Sequence, residues 1–138
     1  MRMRILLLAV VTLMFTASAA FAADSVMVMK DKAGASYLAD SKGMTLYMFK
    51  NDKPGVSMCK GGCASIWYVF DAGKLMLPNG LDAKDFSSIA REDGKEQTTF
   101  RGMPLYYFSG DKAKGEMNGQ GFKNIWYTVD PTKGEQQW

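Results

Sequence analysis

Apolar and polar positions alternate over short spans along this chain, and no long stretch keeps a helical period. Residues 25–30 (Ser-Val-Met-Val-Met-Lys) and 35–39 read as strands, with 40–43 as the turn that follows. Residues 46–49 and 105–108 alternate aromatic and aliphatic side chains, which suits a pleated strand. That pleat puts Tyr47 and Phe49 on one face, and Tyr106 and Phe108 likewise. The apolar runs 66–70 and 125–129 read as return strands. Asp93-Gly94, between 89–91 and 98–100, is a hairpin signal, and Arg101-Gly102 is a second. Residues 51–62 and 110–121 have a turn composition of Gly, Lys, Asp and Asn, and 72–83, with Pro78-Asn79-Gly80, reads as a linker. Asp82 is placed to cap one helical turn through Ser88. The predicted fold is all-β, a small antiparallel sandwich or partly closed barrel.

The pattern is duplicated. Residues 43–71 and 102–130 align without a gap and share 13 of 29 positions. Gly43-Met44 returns as Gly102-Met103, Ile66-Trp67-Tyr68 as Ile125-Trp126-Tyr127, and Asp71 as Asp130. Such self-similarity predicts a pseudo-twofold within one domain.

The N-terminus changes the compartment. Met1 to Arg4 is a short basic segment, 5–15 is apolar, and Ala20-Phe21-Ala22 offers the small residues a signal peptidase accepts. Residues 1–22 are therefore expected to be a cleaved signal peptide and 23–138 a single β domain. The apolar run is about half the roughly 20 residues a membrane span needs, so no membrane anchor is expected after cleavage. Beyond Ala22 the chain holds 15 Lys and Arg against 14 Asp and Glu, with the signs interspersed. No basic stripe tracks phosphates, and no nucleic-acid partner is expected.

The chain has no histidine. The usual neutral-pH base, Ser-His and Cys-His nucleophiles and histidine-ligated zinc are thereby excluded. The only cysteines, Cys59 and Cys63, lie in Cys-Lys-Gly-Gly-Cys, where a closed disulfide pinning a tight loop competes with a redox pair or a thiolate metal site. Methionine is abundant, and Met27, Met29 and Met58, beside Cys59 and Cys63, are candidate soft ligands for Cu(I). The competing reading makes these methionines adaptable core fillers.

Tyr47, Phe49, Asp52 and Trp67 recur as Tyr106, Phe108, Asp111 and Trp126. As a ligand face, the aromatics would stack on an apolar or sugar-like molecule and the aspartates would anchor it. As core, they would pack across the pseudo-twofold axis while Asp52 and Asp111 accept backbone N–H groups of the following loops. Folding symmetry explains their presence in both copies without a ligand. Asp52, Asp82, Asp93, Asp111 and Glu116 sit in no catalytic motif, so neither catalysis nor a cofactor is expected.

The ordered motifs Tyr47-x-Phe49-x-x-Asp52, Ser57-x-Cys59-x-x-x-Cys63-Ala64, Arg91-x-Asp93-Gly94-x-x-Gln97 and Tyr106-x-Phe108-x-x-Asp111 resemble a bacterial secreted or lipoprotein repeat family defined by Tyr-x-[Phe/Trp/Tyr]-x-x-Asp. The resemblance spans nearly all of 23–138 and implies export and a shared fold, for a family without an established function. This chain departs from many relatives in lacking a cysteine at the cleavage site, and in carrying Tyr68 where relatives tend to have proline after the first tryptophan. The expected protein is a soluble periplasmic or secreted, non-enzymatic domain that binds an envelope protein or a small ligand. The alternative is a sulfur-ligated copper or thiol redox protein.

Overall fold

The computed structural model describes residues 25–134; the expected signal peptide, 1–22, lies outside them. Among the described residues, nine strands run in chain order: β1 (Val26–Lys30), β2 (Ser36–Asp40), β3 (Tyr47–Phe49), β4 (Trp67–Val69), β5 (Phe86–Ala90), β6 (Glu96–Phe100), β7 (Met103–Pro104), β8 (Tyr106–Phe108) and β9 (Trp126–Thr128). One short helix, α1 (Gly62–Ile66), precedes β4, and single 3-10 turns occupy Ala83–Asp85 and Phe122–Asn124. All pairing is antiparallel: a β1–β2 hairpin, a three-stranded sheet β5–β6–β7, and a central sheet in the order β4–β8–β3–β9. The sheets pack as a sandwich with no closed barrel.

The central sheet is laced from both repeats. β3 pairs with β9 in the register Phe49↔Trp126, and β8 pairs with β4 in the register Phe108↔Trp67. Each tryptophan strand thus lies against the Tyr-x-Phe strand of the other repeat, and β3 and β8 meet at Tyr47↔Tyr106 on the pseudo-axis. The hairpins follow the same exchange. Leu38 N–H donates to the Val129 carbonyl (2.9 Å) and Thr98 N–H to the Phe70 carbonyl (2.8 Å).

The repeated unit is therefore longer than the sequence identity. Hairpins β1–β2 and β5–β6 have the same lengths and the same turn bonds, Gly34 N–H to the Asp31 carbonyl and Gly94 N–H to the Arg91 carbonyl, each at 3.0 Å. Their sequences share little beyond Gly34 and Gly94, and the connection from Asp40 to Tyr47 is one residue longer than that from Phe100 to Tyr106, which breaks the gapless register.

Alternation along the central strands divides the core. Leu46, Met48 and Leu105 enter an aliphatic cluster with Val26, Leu38, Phe70, Phe86, Phe100, Met103 and Val129. Tyr47, Phe49, Tyr106, Trp67 and Trp126 enter a second, aromatic cluster on the opposite face.

Three local expectations are corrected. The Asp82 side chain does accept from Lys84 N–H (3.0 Å), but the turn ends at Asp85 and Ser88 lies in β5. Burial of Phe86 against Phe100, with ring centroids 5.2 Å apart, pulls that segment into the strand. The strands flanking Asp93-Gly94 are accordingly longer than the apolar spans suggested. Residues 62–66, read as loop and strand start, form α1, a helix too short to leave a periodic signature.

Candidate functional site

The signature Tyr and Asp residues are bonded crosswise. Tyr47 donates to Asp111 Oδ2 and Tyr106 donates to Asp52 Oδ2, both at 2.6 Å. Each aspartate uses its other oxygen on its own loop, Asp52 Oδ1 accepting from Met58 N–H (2.6 Å) and Asp111 Oδ1 from Asn118 N–H (2.9 Å). One carboxylate thereby shapes the loop after its strand and holds the neighbouring repeat. Burial, reinforced by the carboxylate partner, raises the pKa of both tyrosines above that of a free phenol, so both remain donors.

The remaining signature aromatics form a four-ring column across the axis. Trp67 and Trp126 stack at 3.8 Å with planes 2° apart, Phe49 covers the outer face of Trp126 at 4.3 Å, and Phe108 covers Trp67 at 4.4 Å. Tyr47 and Tyr106 meet the two indoles edge-on, at 5.3 and 5.1 Å. Both indoles are buried. The structure thus brings all eight motif residues together, with seven of them buried and Phe108 partly exposed against Trp67.

The copies differ around the first loop. Cys59 and Cys63 form a disulfide with Cα atoms 5.2 Å apart. Asn118 and Phe122 stand at the equivalent positions in the second copy, and the Phe122 ring packs edge-on against Trp67 at 5.8 Å. Arg91, reaching over from the β5–β6 turn, is buried against the disulfide loop. Its Nη1 donates to Ser57 Oγ (2.6 Å) and Gln97 Oε1 (2.7 Å), its Nη2 to the Cys59 carbonyl (2.8 Å), and its Nε to Asp93 Oδ2 (3.1 Å). Ser57 Oγ lies 2.6 Å from the Tyr106 hydroxyl, which gives its own hydrogen to Asp52. A continuous chain of bonds therefore runs from the disulfide loop through Arg91, Ser57 and Tyr106 to Asp52. Burial pushes the Asp52 carboxyl up to about 6, against the opposing pull of Met58 N–H, the Tyr106 hydroxyl and the Arg91 charge. The motif residues Ser57, Arg91 and Gln97 were visible in the sequence, but their convergence was not, because they come from separate loops.

The candidate sulfur ligands are dispersed over different elements. Met27 and Met29 lie on β1, where Met29 Sδ accepts from the Tyr37 hydroxyl at 3.9 Å. Met58 is exposed in the loop after β3, and the sulfurs of Cys59 and Cys63 are bonded to each other. Among the described residues, no group of three His, Cys, Asp or Glu side chains is placed to hold a metal ion.

The two outer strands of the central sheet border related clefts. One, of about 550 Å³ beside β9, includes Ala35, Ser36, Tyr127, Thr128 and Asp130 in its walls. The other, of about 420 Å³ beside β4, is lined by the equivalent Lys95, Glu96, Tyr68, Val69 and Asp71, together with Ala64. Sequence reasoning missed both, since each is assembled from a hairpin of one repeat and a tryptophan strand of the other.

Residues 27–71 and 87–130 each match the model of a family described as a secreted repeat of unknown function. No curated protein and no solved structure matches the chain. Each matched segment opens in the first strand of a hairpin, β1 or β5, and closes just past a tryptophan strand, β4 or β9, so it contains the whole structural unit. No helix among the described residues is long and apolar enough to cross a membrane. The chain belongs to this family of secreted repeats.

Proposed function

We propose that the protein is an exported, non-enzymatic interaction domain of the periplasm. The observation that carries this reading is that four of the six exposed large apolar side chains among the described residues, all but Val28 and Phe122, come from one stretch of the first repeat. Val56, Met58, Ile66 and Tyr68, each 47–49% exposed, all come from the disulfide loop and the β4 segment of the first repeat. Exposed apolar groups gathered on one segment mark an interaction surface, whereas scattered ones carry no such meaning. The polar signature residues, by contrast, are occupied in joining the repeats, which leaves Asp52 and Asp111 unavailable as a hydrolytic carboxylate pair.

The test is photo-crosslinking in intact cells from probes placed at Ile66 and Tyr68, with Lys42 on another loop as the control. The reading expects a discrete adduct from Ile66 and Tyr68 and none from Lys42. It fails if no position gives an adduct. It also fails if the purified protein turns over ester, glycoside or peptide substrates and a single carboxylate change abolishes that turnover.

A further inference from the structure

The two outer edges of the central sheet are equivalent by the pseudo-twofold, yet the outward N–H at one equivalent position is met on only one of them. On β9 the ladder bonds to β3 run through alternate residues, with Lys50 N–H donating to the Ile125 carbonyl at 2.8 Å. The backbone groups of Trp126 and Thr128 therefore point outward. One group of each is met within the chain: Gly121 N–H donates to the Trp126 carbonyl at 2.8 Å, and Thr128 N–H donates to Gln120 Oε1 at 2.6 Å.

On β4 the same alternation holds, with Ser109 N–H donating to the Ile66 carbonyl (2.8 Å) and Phe70 N–H to the Leu105 carbonyl (3.1 Å). Val69, the counterpart of Thr128, thus turns its N–H outward as well. The counterpart of Gln120 is Gly61, which has no side chain, and no group among the described residues bonds to the Val69 N–H. The space beside it is the 420 Å³ cleft walled by Tyr68, Asp71, Lys95 and Glu96.

We infer that the cleft along β4 binds a side-chain carboxamide of a partner protein, which accepts from Val69 N–H as Gln120 accepts from Thr128 N–H. The inference rests on the interaction reading above and names the chemistry of its contact. The protein itself shows the complement that such an edge takes, an amide oxygen. A second copy of this chain fits less well. Trp67 N–H is already given to the Cys63 carbonyl, so α1 covers that end of the edge. Val69 is therefore the one residue of β4 whose outward N–H is open among the described residues. A side chain bearing one carboxamide fits, and half-exposed Tyr68 supplies an apolar wall for its methylenes.

The experiment titrates isotope-labelled protein with a blocked hexapeptide copying residues 117–122, followed by amide chemical shifts. Saturable shifts at Ala64, Tyr68, Val69, Asp71, Lys95 and Glu96 are expected. A peptide with alanine at the glutamine position is expected to bind about tenfold more weakly, the loss of one hydrogen bond. Val69→Pro removes the outward N–H from an edge strand without touching the ladder to β8 and is expected to weaken binding by a similar factor. The alanine peptide gives the same information should that variant fold poorly. Absent or unsaturable shifts, shifts elsewhere, or equal binding of the two peptides would overturn the inference. So would sedimentation showing a concentration-dependent dimer that Val69→Pro dissolves, since the edge would then belong to a second copy. Persistence of the Tyr68 crosslink in Val69→Pro would leave the interaction reading standing and remove only the amide contact.

Discussion

The hydroxyl of Tyr47 donates to Asp111, 64 residues away in the other repeat, and Tyr106 returns the bond to Asp52. In this chain the repeated Tyr-x-Phe-x-x-Asp motif is thus a reciprocal clamp between two units, with each aspartate also fixing the loop of its own unit. Removing one hydroxyl should therefore weaken the joint between repeats. Tyr47→Phe leaves Asp111 buried without its donor and also deprives Gly119 N–H of its acceptor. The expected cost is about 1–3 kcal/mol, measured as a lower urea midpoint with an unchanged slope.

Asp52 gives the protein an unusual acid response. Its folded pKa, near 6, lies above that of an unfolded carboxyl, so the native state binds more protons than the unfolded chain between about pH 4 and 6. Its contribution to stability is full below that window and is lost as pH rises through it. Asp52→Asn should remove this component, so the stability difference between variant and parent changes between pH 4 and 7. Carbon-detected titration of the Asp52 carboxyl should give a midpoint near 6. In Tyr106→Phe, which removes a donor to the charged form, the midpoint should move higher.

Arg91 is a buried cation held by four separate groups of the disulfide loop and the β5–β6 hairpin. Arg91→Ala strands Ser57, Gln97 and the Cys59 carbonyl and should cost about 3–5 kcal/mol in chemical denaturation. Amide exchange should accelerate at Met58 and Cys59 in the first loop, and the equivalent loop around Asn118 should keep its protection. Equal acceleration of both loops would contradict the one-sided wiring.

Two glycines should respond oppositely to the same methyl group. A Cβ at Gly119 would lie 2.7 Å from Trp67 Cη2 and 2.9 Å from Tyr47 Cε1, inside the aromatic column. Gly119→Ala should therefore cost about 1–3 kcal/mol through overpacking. Gly62 lies in α1 with open space at its Cβ position, so Gly62→Ala should be neutral or stabilising by up to about 1 kcal/mol. Thermal melts of the two variants separate the cases.

The sequence shows the motif but not the partner of each residue. Alternation placed Tyr47 and Phe49 on one face, and duplication predicted the pseudo-axis, because both depend on local spacing. The exchange of β4 and β9 between repeats was hidden, since a gapless repeat is equally compatible with two self-contained units. The hairpins were hidden as members of the repeat because only Gly34 and Gly94 keep their chemistry, at the positive φ the turn demands. The Arg91 network and the open Val69 edge were illegible for the same reason: each depends on loops that meet only after the strands have crossed over.

Neither repeat is complete without the other, since among the described residues β3 pairs only with β8 and β9, and β4 only with β8. Cutting the chain in the exposed Asn79-Gly80 linker and producing the segments 23–79 and 80–138 separately tests it most directly. Each segment alone should lack cooperative unfolding and near-ultraviolet ellipticity, and mixing them should restore both in a 1:1 complex with the Trp67–Trp126 stack re-formed. A single segment that melts cooperatively by itself, with its aromatic signals intact, would contradict the interlaced fold.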